Sequence, residues 1–375
     1  MPVRANPEAL PADVESQARQ ALDFAAGQVD HLVRSRPDAF PIYTQDGRWH
    51  VEEEAWTNWT EGFLGGQLWI FAQRTGDAWW RERAEHYSRL IEPRKDDRTV
   101  HDLGFLFIST WKRWFDLDGD PSLMDVVVHA GRTMALRFNE KGRFLRSFAA
   151  PDSCFIDIMM NVGIIFEAAR ASGDPDLLRI ATEHCLTSRR YLVRGDGSTA
   201  HEAIFHLDTG EFLRTGTHQG WRADSSWARG QAWALYGFGT AYGLSGDERF
   251  LDTAERCADF FLERTGARIV PPNDWEEPDR PRPYESSAAA IAASGLWQLA
   301  DLTASEARAS RYREATLALI STLCEPEFLA VDEPGWEGIL RHGVYHERKG
   351  LGVDESVMWG EYFFVEALDR VLGPG

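Results

Sequence analysis

Positive charge is what this chain is short of. Its 375 residues carry 40 Lys and Arg against 59 Asp and Glu, a formal net charge of −19. Gripping a nucleic-acid backbone needs clustered cations, so that class is excluded. Such a field does not favour an anionic small substrate either, so one would need cations placed locally in its cleft. Cysteine is scarce as well. Cys154, Cys185, Cys257 and Cys324 match no zinc or redox spacing and read as buried thiols in a reducing compartment. No run approaches ~18 apolar residues, so no membrane span is expected. The opening MPVRANPEALPADVESQARQALDF lacks the apolar centre of a secretory signal, which makes the cytoplasm the expected location. Catalytic signatures are missing too: HExxH, a His pair with a carboxylate, a GxSxG elbow, a GxxxxGK phosphate loop and a dinucleotide fingerprint. No metal or cofactor is expected.

Tryptophan is plentiful, with 15 in the chain. A buried indole needs a partner for its N–H, and an indole in a cleft offers the flat face that sugars stack on. The apolar pattern is helical almost throughout, as at 126–134 and 254–262, and period-two alternation is rare. Minor strands fit only loop regions such as 195–209. A Gly-Asp turn recurs at Gly76-Asp77, Gly119-Asp120, Gly173-Asp174 and Gly246-Asp247. Glycine closes one helix in the left-handed conformation and Asp caps the next, so each turn marks a helical hairpin. Helices of two kinds alternate. Residues 286–300, SSAAAIAASGLWQLA, are apolar or small nearly all round and read as buried on every side, whereas 311–323 are amphipathic. About six such hairpins, the last inner helix at 355–372, predict an all-α fold: an (α/α)6 barrel of inner and outer helix rings. An open α-solenoid is the competing arrangement, and small residues on the inner helices favour closure. Residues 1–375 are expected to form one catalytic domain, with the first ~20 residues as a peripheral extension.

Five segments carry chemistry: 56–69 (WTNWTEGFLGGQLW), 101–107 (HDLGFLF), 155–161 (FIDIMMN), 217–233 (THQGWRADSSWARGQAW) and 284–296 (YESSAAAIAASGL). Residues 356–368 form a weaker sixth. Asp102, beside His101 and ahead of an apolar run, reads equally well as a helix N-cap. Asp157 stands among Ile156, Ile158, Met159 and Met160. Burial there is costly for the ionised form and raises the pKa, as a general acid requires. Asn161 follows four residues later, on the same helical face, as a hydrogen-bond partner. Two carboxylates in unlike surroundings are the usual equipment for glycoside cleavage, and these lie about one hairpin apart. Arg229 lies between Trp227 and Trp233; a guanidinium grips a carboxylate with two parallel hydrogen bonds, and the indoles offer stacking faces. His218 and Gln219 precede them in a Gly-bounded loop, and His201 is a further donor. Taken singly, each of these residues reads equally well as structure. Their density argues for a cleft.

The motifs HDLGF, FIDIMMN, SSWARGQAW, SSAAAIAASGL and MWGEYFFVEAL, with the segment from Trp56, resemble glycoside hydrolase family 88, the unsaturated glucuronyl hydrolases. The resemblance implies an (α/α)6 barrel and substrates that end in a 4,5-unsaturated uronic acid left by a polysaccharide lyase. It also implies hydration of the C4=C5 vinyl ether in place of attack at the anomeric carbon. Asp157 then matches the general acid/base and Asp102 the second essential Asp, its charged partner and ring-hydroxyl ligand. Arg229, Trp233, His201, Gln219 and the Trp56/Trp59 pair fall where the family places substrate contacts; Trp227, His218, His101 and Asn161 complete the candidate set. The chain departs from the family at Leu64-Gly65-Gly66 and at Asp224, which stands alone where two Asp are usual; both bear on subsites. Unsaturated rhamnogalacturonyl hydrolases are the nearest alternative, and Gln231, where that class tends to have Asn, argues against it. An N-acyl sugar epimerase would need paired His, and a glycan-binding toroid gives no reason for a buried acid at Asp157. Parent polysaccharide and oligomeric state stay open.

Overall fold

A computed structural model describes residues 10–50, 58–266, 269–278 and 284–373. Six helical tracts form an inner ring: α2 (Glu61–Thr75), α4–α5 (Leu103–Phe107 and Arg113–Asp118, joined by a π turn at Ile108–Lys112), α7–α8 (Ile158–Asn161 and Gly163–Ser172), α10 (Ala228–Ser245), α12 (Ser286–Leu302) and α14 (Met358–Leu372). Each is backed by an outer helix: α3 (Ala78–Ile91), α6 (Pro121–Ala135), α9 (Pro175–Tyr191), α11 (Glu248–Thr265), α13 (Glu306–Leu323) and α1 (Ala12–Ser35). The inner tracts pack in sequence and α14 packs back onto α2, which closes an (α/α)6 barrel. The early residues, expected as an extension, contribute from Ala12 onward to the outer ring: Ala18, Ala21 and Leu22 of α1 are buried where it meets α13 and α14.

The Gly-Asp turns build the hairpins in the expected way. Gly76, Gly119, Gly173 and Gly246 have φ between 65° and 71°, and the carboxylates of Asp77, Asp120, Asp174 and Asp247 each accept the N–H two residues on. Closure rests on a second use of glycine. At the inner-ring interfaces glycines face their neighbours closely: a Cβ would collide at Gly62 with α4, Gly104 with α7, Gly237 with α7, Gly295 with α10 and Gly66 with α14, and would make a tight contact at Gly360 with α12. The inner helices are thus drawn together over small residues, whereas α11 turns an amphipathic face inward. The last inner helix starts at Met358, three residues later than the apolar pattern indicates, because Leu351–Glu355 pairs as a strand instead. Short strands lie in the connections: β1 (Thr44–Gln45) with β2 (Arg48–Trp49), β3 (Phe138–Asn139) with β4 (Phe144–Leu145), β5 (Ser153–Phe155) with β6 (Glu202–Phe205) and β7 (Phe212–Gly216), and β8 (Gly343–His346) with β9 (Leu351–Glu355). Among the described residues no helix is long and apolar enough to cross a membrane.

Candidate active site

The β5–β6–β7 sheet and the β8–β9 hairpin gather the polar side chains over one end of the ring. They bound a cleft of ≈ 240 Å³ lined by Asp102, Asp157 and Arg229, among others. That volume is below the usual range of ligand pockets and suits a single sugar ring.

Asp102 immediately precedes α4 but does not cap it; its carboxylate makes no hydrogen bond to the helix N-terminus. It lies 4% exposed, with Oδ1 at 3.3 Å from Nε2 of His101. Asp157 immediately precedes α7, again without capping it. Two contacts fix the spacing of these helices. Gly104 abuts the backbone of Asn161, and the Asn161 amide oxygen accepts the Phe105 N–H at 2.8 Å. The Asn161 amide nitrogen donates to the Asp157 backbone carbonyl at 3.2 Å, not to its carboxylate. Asn161 is fully buried, so it holds the two carboxylate-bearing segments together and does not line the cleft.

Strand register places a histidine behind Asp157. β5 pairs antiparallel with β6, and Ile156 N–H donates to the His201 carbonyl at 3.0 Å. β7 then returns the chain so that the N–H groups of His218 and Gln219 donate to His201 Nδ1 at 3.2 and 3.4 Å. With Nδ1 accepting, the ring proton sits on Nε2, 3.5 Å from Asp157 Oδ2. Burial first, then the positive groups around it, keep His201 uncharged. Both facing atoms are buried and otherwise without a hydrogen-bond partner, a contact of the kind that tightens on ligand binding.

Burial raises both carboxyls: Asp157 to about 6, opposed by Arg229, and Asp102 to about 8, reinforced by Asp157. Burial thus favours the protonated form at both carboxyls, and their mutual repulsion opposes ionising the two together. Their surroundings differ: Asp102 is enclosed, while the Asp157 side chain keeps 17% exposure and feels Arg229.

Arg229, in the first turn of α10, is clamped between Trp227 and Trp359 with its guanidinium carbon 4.4 and 4.9 Å from the ring centroids. It donates to the carbonyls of Val344 and Tyr345, and fully buried Glu285 lies 3.5 Å away. Trp227 is therefore spent on the arginine, and Trp233 packs in the core against Phe105 and Phe363; neither is on the cleft lining. Spacing showed the cluster but not which way each indole turns. Trp59 does line the cleft, and Trp56 lies outside the described residues. Gln219 and His218 line it too, with the Gln219 amide donating to the Tyr345 carbonyl at 3.0 Å and His218 Nε2 3.4 Å from Glu202. His101 also lines it, while His201 stands behind Asp157. Gln231 is buried and donates to the carbonyls of Gly197 and Cys257, so it bears on the substrate only indirectly.

Sequence reasoning missed Phe148, Ala149, Phe155, Tyr345, His346 and Lys349, which complete the lining. The last three fall within HGVYHERKG, a Gly-bounded stretch dense in aromatic and basic residues that could have been singled out. Phe148 follows a strand pair with no such signal.

No protein-family model matches the chain. Among curated proteins it is 33% identical over 364 residues to an unsaturated glucuronyl hydrolase of Bacillus sp. (strain GL1), covering 94% of this chain and 96% of that one. It is 29% identical to an unsaturated chondroitin disaccharide hydrolase of Streptococcus pneumoniae, over 96% and 93% of the two chains. The crystal structure of the Bacillus sp. GL1 enzyme, described as responsible for the degradation of glycosaminoglycan, superposes with a TM-score of 0.88 at 32% identity, covering 94% and 96%. An aspartate-to-asparagine mutant of the Streptococcus agalactiae unsaturated glucuronyl hydrolase, complexed with dGlcA-GalNAc6S, superposes with a TM-score of 0.82 at 25% identity, covering 99% and 98%. With likeness of sequence and fold along almost the whole of both chains, this chain belongs to the unsaturated glucuronyl hydrolases.

Proposed function

We propose that this chain, acting as a single catalytic unit, releases 4,5-unsaturated uronic acid from the non-reducing end of lyase-generated oligosaccharides by hydrating the C4=C5 vinyl ether. The carrying observation is a cleft with two carboxyls that burial has raised into the range where protons exchange near neutrality. Asp157 gives its proton to C4, and the ring oxygen shares the positive charge that develops at C5. Water adds at C5 as Asp157 takes back one of its protons, so the acid is restored and one water is consumed. The hemiketal opens to the C5 ketone, and the C1–O bond to the leaving sugar breaks. A group with a pKa near the working pH serves both steps. The entering uronate is itself an anion, and its charge raises Asp157 further, toward the protonated form the first step uses.

Asp102, held neutral, donates to a ring hydroxyl and keeps a second negative charge away from the uronate. His201 directs its Nε2 proton at Asp157 and fixes the side chain. Arg229, rigid between two indoles, and Lys349 supply the local positive potential that the chain as a whole lacks; Trp59, His218 and Gln219 border the ring. The four cysteines are free thiols, which fits a reducing cytoplasm. The rhamnogalacturonyl alternative has less support, since the named relatives are glucuronyl and chondroitin enzymes. Turnover in D2O tests the route. Hydration places one deuterium at C4 of the product, read by NMR; cleavage at the anomeric carbon leaves C4 unlabelled and would overturn it.

A further inference from the structure

His101 is gripped from two sides by one residue. The Phe148 N–H donates to its Nδ1 at 3.0 Å, and the Phe148 ring stacks on the imidazole with centroids 5.5 Å apart and planes at 22°. Phe155 closes a third side edge-on at 5.8 Å. The imidazole is 2% exposed, whereas Phe148 is 36% exposed and borders the cleft with Ala149. This rim is braced from beneath: Arg137 donates to the carbonyls of Arg146 and Ser147, and the Ser147 hydroxyl accepts the Ala149 N–H at 3.2 Å. On its far side the imidazole presents Nε2 to Asp102 Oδ1 at 3.3 Å. Since Nδ1 accepts from Phe148, the single proton of the neutral ring is on Nε2 and points at the carboxyl. Burial, then Arg137, keeps the ring neutral.

We propose that His101 is a positioning residue that couples the cleft rim at Phe148 and Ala149 to Asp102, so that a sugar resting on the rim bears on the carboxyl through one imidazole. The inference rests on reading Asp102 as part of the catalytic pair. A donor at Nε2 stabilises the ionised carboxyl, so its loss raises the Asp102 pKa whichever form the reaction uses. Asp157, Asp97, Arg94, Arg137 and Tyr345 also act on Asp102 and stay unchanged in the test.

Two substitutions separate the two ends of the ring. His101→Asn keeps an acceptor near Nδ1 and loses the donor; His101→Gln keeps a donor near Nε2 and loses the acceptor. With an unsaturated disaccharide, His101→Asn is expected to lower kcat about 10- to 100-fold, because Asp102 loses the partner that fixes its orientation. Its upper pH limb should move up by about one unit. His101→Gln is expected to recover most of kcat and return the limb toward wild type. An unmoved limb in His101→Asn, or equal damage in both variants, would overturn the proposal. Imidazole 15N shifts of the full chain without substrate give a readout independent of activity, so failure of the inference is separable from failure of the assigned reaction. The proton on Nε2 of His101 is expected, and a proton on Nδ1 would overturn the coupling.

Discussion

Two aspartates with the same unperturbed acidity become unequal through a few ångströms of surroundings. Asp102 is enclosed and rises to about 8; Asp157 meets the cleft and Arg229 and rises to about 6. If Asp157 delivers the proton, kcat/KM falls as pH rises through about 6, because the free enzyme loses its acid form. The alkaline limb of kcat lies higher, since bound uronate raises Asp157 and the limb then also carries the loss of the Asp102 proton; steady-state kinetics across pH reads both. Stability follows the same groups with a definite sign. The folded-state pKa of Asp102 is above that of the unfolded chain, so its ionisation weakens the fold as pH rises from about 4 toward 8. Asp102→Asn should therefore show little Tm gain at the acid end and a widening gain toward pH 8 in thermal melts. Asp157 stood out in the sequence because a carboxylate set among Ile and Met is anomalous, whereas Asp102 read equally well as a helix N-cap and was singled out by the resemblance. The charges that act on them were not legible there, because Arg229, Arg137 and Arg94 arrive from other parts of the fold.

Between helices, glycine does two different jobs, and only one was legible. The Gly-Asp turns announce themselves, since a left-handed residue followed by a capping carboxylate is a local event. The glycines that let inner helices touch depend on what lies opposite. Gly104 is the telling case, for its Cβ would stand 2.5 Å from the Cα of Asn161, between the segments that carry Asp102 and Asp157. Alanine at an exposed helical glycine adds about 1 kcal/mol of helix stability. Gly104→Ala should instead separate the carboxylates and lower kcat about 100-fold with both aspartates intact, the scale expected for a misplacement of about 1 Å. Kinetics paired with a melting curve checks this; unchanged kcat would mean that α4 and α7 give way without consequence. Strand register was the other hidden layer. His201 lies far from Asp157 in the chain, and only the β5–β6 pairing brings them together.

At the scale of the whole molecule, a net charge of −19 surrounds a site built for an anion. Long-range repulsion slows encounter, while Arg229 and Lys349 act only inside the cleft. With a singly charged unsaturated disaccharide, kcat/KM is expected to rise as salt goes from about 10 to 150 mM; a fall would show that the cleft cations dominate the approach as well. The ring architecture was legible from alternating buried and amphipathic helices, whereas the cleft lining from HGVYHERKG offered only its aromatic and basic density, since a short hairpin between helices shows no helical period. The most direct test of the central claim follows the absorbance of the conjugated C=C of an unsaturated glucuronyl disaccharide as purified protein is added. Wild type should abolish the signal, and Asp157→Asn, folded to the same Tm or higher, should slow its loss at least about 1000-fold. Persistence of the signal with wild type, or full activity in Asp157→Asn, would contradict it.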